Sequence, residues 1–269
     1  MAQTTYLADQ VVSEAQIQEW VETFHKQGCL FLQNVLPPDL CAQLRQDLEW
    51  ALKNDPNNLN GGSPAGRMHL SHRMFEHSEA NRRLFDLEPI VSFAEALVAE
   101  NCHVIHNNSF QTFPGGGITS WHQDDALHYI VTDGEPPKNV RLPVLLFTAN
   151  YYLTDVTEIE HGGTEVVPGS HLFGASPPNP IEGTEWEDKV QYNLGKAGSV
   201  IMFNNQVWHR GGPNQTDRIR YITQVTYGRR LVGHKYYPFM NYNMPESAYR
   251  DASPRLRRLL GFLNHGAYG

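Results

Sequence analysis

The chain has 269 residues, a formal net charge of −8 at pH 7, 40% hydrophobic and 19% charged residues, the balance of a globular protein with a sizeable core rather than a disordered or fibrous one. The acidic balance and only six lysines argue against nucleic acid as a partner, because phosphate backbones are held by Lys and Arg surfaces. No stretch approaches the roughly 18 apolar residues of a membrane span, and Cys29, Cys41 and Cys102 have the spacing of neither a disulfide framework nor a thiolate metal motif.

In chain order, residues 13 to 27 have helix spacing, with Ile17, Trp20, Val21 and Phe24 on one face, Ser13 and Gln16 as a capping-box pattern and Gly28 as the stop. CLFLQNVL (29–36) reads as a short buried strand. Asp39 then caps a second helix that carries Leu40, Leu44, Leu48 and Ala51 on one face and ends before Asp55-Pro56. Residues 57–67 read as a Gly/Ser/Pro loop, and a third helix is predicted from Pro89 to Glu100 with Ile90, Phe93, Ala94 and Leu97 facing the core. From Cys102 to Arg229 the texture changes to short apolar runs separated by Gly, Pro, Asn and Asp, the signature of a β-sandwich or barrel. Ser253 and Pro254 start a last helix striped with Leu256, Leu259, Leu260 and Leu263. No repeat or linker interrupts this order. The chain is therefore read as a single domain over 1–269: a helical part at about 13–100, a β core at about 102–230 and a C-terminal helix at about 253–263. With no secretory pattern at its start it is expected to be cytoplasmic, without a membrane or nucleic-acid partner; a homo-oligomer is left open.

The chemistry-bearing constellation begins at His122-Gln123-Asp124, at the end of a predicted strand. Alternation sends His122 and Asp124 to one side and Gln123 to the other. A third ligand has to come from a distant segment, and His209, ending the strand-like run GSVIMFNNQVWH, is the best placed. Two imidazoles and one carboxylate on one face of an octahedral ion leave three positions open, the arrangement of Fe(II) sites that bind a cosubstrate and O₂. A chain with thirteen histidines shows a His-x-Asp by chance, so the weight comes from the residues just after His209. Arg218 and Arg220 lie on the run into the next strand, and one of them could grip a dicarboxylate in bidentate fashion.

The order of HQD, then HGGTEVVPGSH (161–171), then WHRGGPNQTDRIR (208–220) resembles the phytanoyl-CoA dioxygenase family of Fe(II)/2-oxoglutarate oxygenases, over essentially the whole chain. The resemblance implies a mainly β fold with flanking helices (α+β), a double-stranded β-helix of the jelly-roll, cupin-like kind. It assigns His122, Asp124 and His209 to iron and to catalysis, and Arg220 to the distal carboxylate of 2-oxoglutarate. The cofactors implied are Fe(II), 2-oxoglutarate and O₂. Where relatives carry a hydroxyl two positions after the second histidine this chain has Gly211, so Thr223 or a tyrosine is expected to substitute. Where they carry a lysine before the Pro-Gly turn it has SFQTFPGG, so Gln111 or Thr112 is expected to contribute. Gln111 and Asn150 are taken as cosubstrate contacts. The carboxylate of Asp124, which halogenating relatives replace with a small residue, favours hydroxylation.

Around the site, Asp125 and His128 are the candidates to face substrate. His171 reads as a structural hydrogen-bonder, and His103 and His106, three apart on a strand, make a poor chelate. The aromatic tract 234–245 is either packing over the barrel mouth, against another subunit, or a substrate lid. The function read from all this is an oxidoreductase, a dioxygenase that hydroxylates or oxidatively dealkylates a small-molecule metabolite of secondary metabolism, an amino-acid-derived compound such as a mycosporine-like amino acid being one candidate. Its rivals are an acyl-CoA hydroxylase of the same family, a non-redox metal-dependent barrel hydrolase, and a non-catalytic small-molecule-binding barrel.

Overall fold

A computed structural model describes residues 5–54, 67–125, 130–132, 138–234 and 242–262. The first helix, α1 (Glu14–Gln27), forms where the capping pattern places it: Ser13 Oγ accepts from the Gln16 backbone N–H at 3.2 Å, and Gly28 closes it at φ 70°, a left-handed conformation that costs glycine nothing. The Gln16 side chain bonds Glu19 instead of completing the box. Strand β1 (Cys29–Leu32) is shorter than 29–36, because Asn34 turns the chain at φ 54° and the Val35 and Leu36 N–H groups donate to the Gly198 carbonyl. Helix α2 (Pro38–Asn54) starts at Pro38, so Asp39 sits inside its first turn rather than capping it. The helix predicted from Pro89 to Glu100 is α4 (Ile90–Leu97), shorter at its C-terminal end, and α5 (Pro254–Leu259) starts behind the Ser253 cap, with Leu263 outside the described residues. Two elements were not anticipated: strand β2 (Met68–His72) and helix α3 (Glu79–Phe85), capped by Ser78. Of the predicted loop 57–67 only Arg67, and of the tract 234–245 only His234 and residues 242–245, lie within the described residues.

The β core is two antiparallel sheets. The larger runs β1, β7 (Val200–Asn204), β4 (Leu146–Tyr152), β9 (Arg220–Gly228), β3 (His103–Thr112), β2. The smaller runs β6 (Gln191–Tyr192), β5 (Thr164–Val167), β8 (Trp208–Gly211). An isolated bridge from His122 to His209 adds the 121–123 segment beside β8. From β3 on the chain crosses repeatedly between the two sheets, through the 121–123 segment, back to β4, over to β5 and β6, back to β7, over to β8 and back to β9, which makes this a double-stranded β-helix, the jelly-roll that was expected.

Alternation decides which side chains cover which face. On the outer face of the large sheet Phe147, Ala149, Tyr151, Val200, Met202, Val225 and Tyr227 pack against Ile17, Val21, Phe24, Leu44, Leu48 and Phe93 from the helices. Phe24, Phe93 and Phe147 meet edge to face at centroid distances of 5.6 to 5.8 Å, and Phe147 stacks on Tyr227 at 5.3 Å. Each such pair adds about 0.5–1.5 kcal/mol beyond the area it buries, enough to fix α1 and α4 on β4. The inner face is banded instead. Strand register lines up Met68, Thr112 and Arg220 in one rung, Leu70, Phe110, Ile222 and Tyr152 in the next, then His72, Asn108, Gln224 and Asn150, then His106, Thr226 and Thr148.

His171 packs where α1 meets β1. Its Nε2 lies 3.2 Å from the His25 carbonyl, and burial lowers its pKa to about 4. The unfolded chain takes up this proton near pH 6.5 and the folded one only near 4, so acid in that window favours unfolding. Stability by urea titration is expected to fall on the order of 3 kcal/mol between pH 7 and pH 4 through this residue, and the fall should shrink in His171→Gln. An equal slope in the two proteins would count against this assignment.

A candidate metal centre and its pocket

The two imidazoles are brought together by backbone. His122 and His209 exchange N–H to C=O hydrogen bonds of 3.0 Å in both directions, and Asp124 N–H donates to the Asn205 carbonyl at 3.0 Å. Gln123, pointing the other way, bonds the Gln206 carbonyl at 3.0 Å. The ring centroids of the two histidines are 4.3 Å apart. Their Nε2 atoms lie 3.9 Å (His122) and 3.4 Å (His209) from Asp124 Oδ1, and one donor atom from each of the three residues lies within 4.8 Å of the other two.

The donor set fits a divalent ion. His122 Nδ1 sits 2.8 Å from the Ser120 carbonyl and His209 Nδ1 2.9 Å from the Val207 carbonyl. A carbonyl can only accept, so each Nδ1 carries the proton and each Nε2 presents its lone pair toward Asp124, the tautomer that a ligand histidine needs. Burial, then the neighbouring His209, lowers the pKa of His122. Burial opposes the charged form of His209 still more, yet Asp124 and its hydrogen bond outweigh it and raise that pKa.

The pocket beside these groups is lined by Met68, Phe110, Ile118, Phe203 and Ile222 among apolar side chains, and by Thr112, Asn150, Thr164, Gln224 and Arg220 among polar ones. Arg220 is 6% exposed. Its Nη1 donates to the Gly212 carbonyl at 3.0 Å and its Nη2 to Thr112 Oγ1 at 3.3 Å, while Nε has no partner. Burial lowers its pKa to about 10, which leaves it charged at neutral pH. Among the described residues no carboxylate pairs with it. A buried, unpaired guanidinium is costly, and here its uncompensated charge faces the pocket. Arg218, the other candidate, lies outside the pocket, 2.9 Å from His161 Nε2.

Two expectations fail by strand parity. Gln111 does not line the pocket: it faces the outer side, opposite Tyr221, where Nε2 donates to Tyr221 Oη at 3.1 Å and Oε1 lies 3.2 Å from His69 Nδ1. Thr223 likewise faces outward to Ser109 and Asn81, so it cannot replace a hydroxyl at Gly211. Thr112 and Thr164 are the hydroxyls that line the pocket, and Asn150 lines it too, donating to Thr164 Oγ1 at 3.3 Å. Asp125 is exposed and does not line it, and His128 lies outside the described residues.

Sequence reasoning missed three contributors. Gln224 and Ile222 follow from parity once Arg220 is known to point inward. Glu165 has no sequence signal, because its partner is across a strand. It is 3% exposed and opposes Arg210, whose Nε lies 2.8 Å from its carboxylate. The Arg210 guanidinium also sits over the Trp121 ring at 4.9 Å. This outer-face stack therefore joins the residues directly beside His122 and His209.

The sequence profile of the family described as phytanoyl-CoA dioxygenase (PhyH) matches residues 24–222. A dioxygenase of Aspergillus terreus (strain NIH 2624 / FGSC A1156), trt7, is 26% identical over 153 residues, 56% of this chain and 49% of that protein. The chain thus spans about half the length of the first fungal relatives it matches. An ectoine dioxygenase of Nocardia farcinica (strain IFM 10152) is 24% identical over 227 residues, 74% of this chain and 73% of that protein. Two solved structures share the fold. The epimerase SnoN in complex with Fe3+, alpha ketoglutarate and nogalamycin RO has a TM-score of 0.64 at 20% identity, covering 87% of this chain and 94% of its own. HygX from Streptomyces hygroscopicus, with nickel and 2-oxoglutarate bound, has a TM-score of 0.65 at 14% identity, covering 87% and 96%.

The two glycines after Arg210 should respond differently to a methyl group. A Cβ on Gly211 meets its nearest neighbour, the Ile118 nitrogen, at 3.4 Å, whereas one on Gly212 comes within 2.6 Å of Glu165 Oε1 and 3.1 Å of the Gly163 carbonyl. Gly211→Ala is expected to change stability by under about 1 kcal/mol and Gly212→Ala to lower it by about 1–3 kcal/mol. Thermal melts of the two variants check the contrast, which equal midpoints would refute.

Proposed function

Because the chain belongs to the phytanoyl-CoA dioxygenase family, we propose that it is an Fe(II)/2-oxoglutarate-dependent dioxygenase that hydroxylates a small-molecule metabolite. The observation that carries the proposal is the pairing of a three-donor centre with a buried arginine that has no carboxylate partner on the same pocket. Ferrous iron, when bound by His122, Asp124 and His209, supplies the redox centre at which O₂ and 2-oxoglutarate are consumed.

The charges of the site favour a dianion. Asp124 cancels one of the two positive charges of a ferrous ion and the two imidazoles none, so one net positive charge remains at the centre. Arg220 places a second at the far end of the pocket. A dicarboxylate whose ends face these two charges is neutralised at both, and its far carboxylate meets guanidinium donors already aligned by Gly212 and Thr112. The apolar rung of Leu70, Phe110, Ile222 and Tyr152 borders the path between the two ends. The buried Phe203 ring, 4.4 Å from that of His209, keeps water from that side of His209. With this arrangement the side chains bind, orient and exclude; none is needed as a general acid or base.

Support for a small-molecule substrate comes from the relatives, which include dioxygenases named for ectoine and structural neighbours that hold nogalamycin RO or hygromycin B. The oxidised compound is to be found by screening, with amino-acid-derived metabolites such as mycosporine-like amino acids in the first set.

Anaerobic addition of Fe(II) and 2-oxoglutarate should give a weak visible charge-transfer band, and aerobic incubation should give succinate. A protein that binds metal but makes no succinate would be a hydrolase or a binding barrel instead. Asp124→Ala is expected to lose turnover altogether through loss of the anionic ligand; turnover at the wild-type rate would refute the ligand assignment. Arg220→Ala should raise the 2-oxoglutarate requirement at least about tenfold while leaving the iron requirement nearly unchanged. The reverse pattern in paired titrations would mean that another residue anchors the diacid.

A further inference from the structure

Resting on that reading, the banding of the inner sheet face also locates the substrate. A five-carbon diacid has four carbon–carbon bonds of about 1.5 Å each and spans at most about 6 Å, which is about two residues of strand. Anchored at the rung of Thr112 and Arg220 and running along β9, it reaches no farther than the level of Ile222, and the next rung begins with Gln224. That third rung is polar across four adjacent strands: His72, Asn108, Gln224 and Asn150. Its Gln224 and Asn150 half lies inside the pocket, joined by a hydrogen bond of 3.0 Å. Its other half runs outward along β3 and β2, where His72 Nδ1 lies 2.9 Å from Asn108 Oδ1. The His106 ring follows one rung on, 6.2 Å from that of His72.

We propose that His72, Asn108 and His106 form the substrate-recognition face, and that they take the hydrogen-bonding end of a compact polar metabolite bearing hydroxyl or amine groups. A carboxamide oxygen only accepts, so the Nδ1 of His72 is the donor in its bond to Asn108, which leaves Nε2 as the ring atom that can meet a polar group of the substrate. Asn108 is 3% exposed, and its amide nitrogen is the matching donor. Such a rung selects against a fatty acyl chain, because methylenes laid over it leave buried polar groups without partners. The second rung is apolar by contrast, which suits the carbon skeleton of the cosubstrate and not that of the molecule beyond it.

Two measurements test this. In the first, His72→Leu and Asn108→Leu are incubated with Fe(II), 2-oxoglutarate and O₂ and no other substrate. One oxygen atom enters succinate as 2-oxoglutarate loses CO₂, and the other enters a C–H bond of the introduced side chain as a hydroxyl. Peptide mass spectrometry is expected to find one added oxygen at position 72 or 108 in these variants and none at position 111 in Gln111→Leu, on the outer face. Succinate without oxygen at either inner position overturns the placement. Absence of succinate from the wild type itself means that the underlying reading of the centre has failed, and the inference falls with it. In the second, calorimetry follows octanoyl-coenzyme A binding anaerobically to the protein loaded with Fe(II) and 2-oxoglutarate. Affinity should rise at least about tenfold from wild type to Asn108→Leu or His72→Leu, as a polar surface facing methylenes becomes apolar. An affinity that is unchanged or falls overturns the polar substrate class.

Discussion

The reciprocal pair of backbone hydrogen bonds between His122 and His209 is the constraint on which the rest depends. Side chains alone could bring two imidazoles together only at the expense of rotamer freedom and mutual repulsion of their buried dipoles. Here the main chain does it: a bridge that extends the small sheet by one residue sets the two Cα positions, and a carbonyl behind each ring sets its tautomer and tilt. Asp124 is added two residues on, held by its own backbone N–H to Asn205. The centre is therefore specified before any ion arrives, which lowers the ordering cost of binding one. The outer face of the same sheet repeats the connection through Trp121, Arg210 and Glu165, so the ligand-bearing segments are tied on both sides.

The large sheet divides the remaining work by rung. A strand that alternates in and out at about 3.3 Å per residue places successive inner positions about 6.6 Å apart, and β9 fills these with a guanidinium at Arg220, an apolar step at Ile222 and an amide at Gln224. The outer positions between them belong to the helical layer, where Tyr221, Val225 and Tyr227 pack. Function and stability thus share one strand without sharing residues. Gly212, just past the end of β8, ties the two sheets to it: its carbonyl holds Arg220 on the inside, and its missing side chain makes room for the carboxylate of Glu165.

How much of this was legible depended on whether the information was local. That His122, Asp124 and His209 come together was legible because parity on one strand and the end of another are properties of short segments; parity left Arg218 and Arg220 equal, and only the family resemblance singled out Arg220. The fold class was legible from turn spacing, and the helix starts at Ser13 and Ser253 from capping chemistry. Gln111 was misplaced because its parity has meaning only relative to a partner strand: the pairing of Thr112 with Arg220, which no segment reveals by itself, sends Gln111 outward. Thr223 failed for the same reason. Strand β2 stayed hidden because in MHLSH only Met68 and Leu70 are apolar, an alternation too short to stand out at a sheet edge. The Glu165 and Arg210 pair, 45 residues apart in sequence, is a cross-strand relation of the same nonlocal kind.

Each of the two histidines of the candidate centre comes directly after a tryptophan, Trp121 before His122 and Trp208 before His209, and alternation turns both indoles to the back of the sheet. There they join Val167 and Ile181 in a buried cluster, with Phe173 and Trp186 packed against it. An ion held by the proposed donors would change the electric field one residue away from two buried indoles. Their emission would then report occupancy without a label.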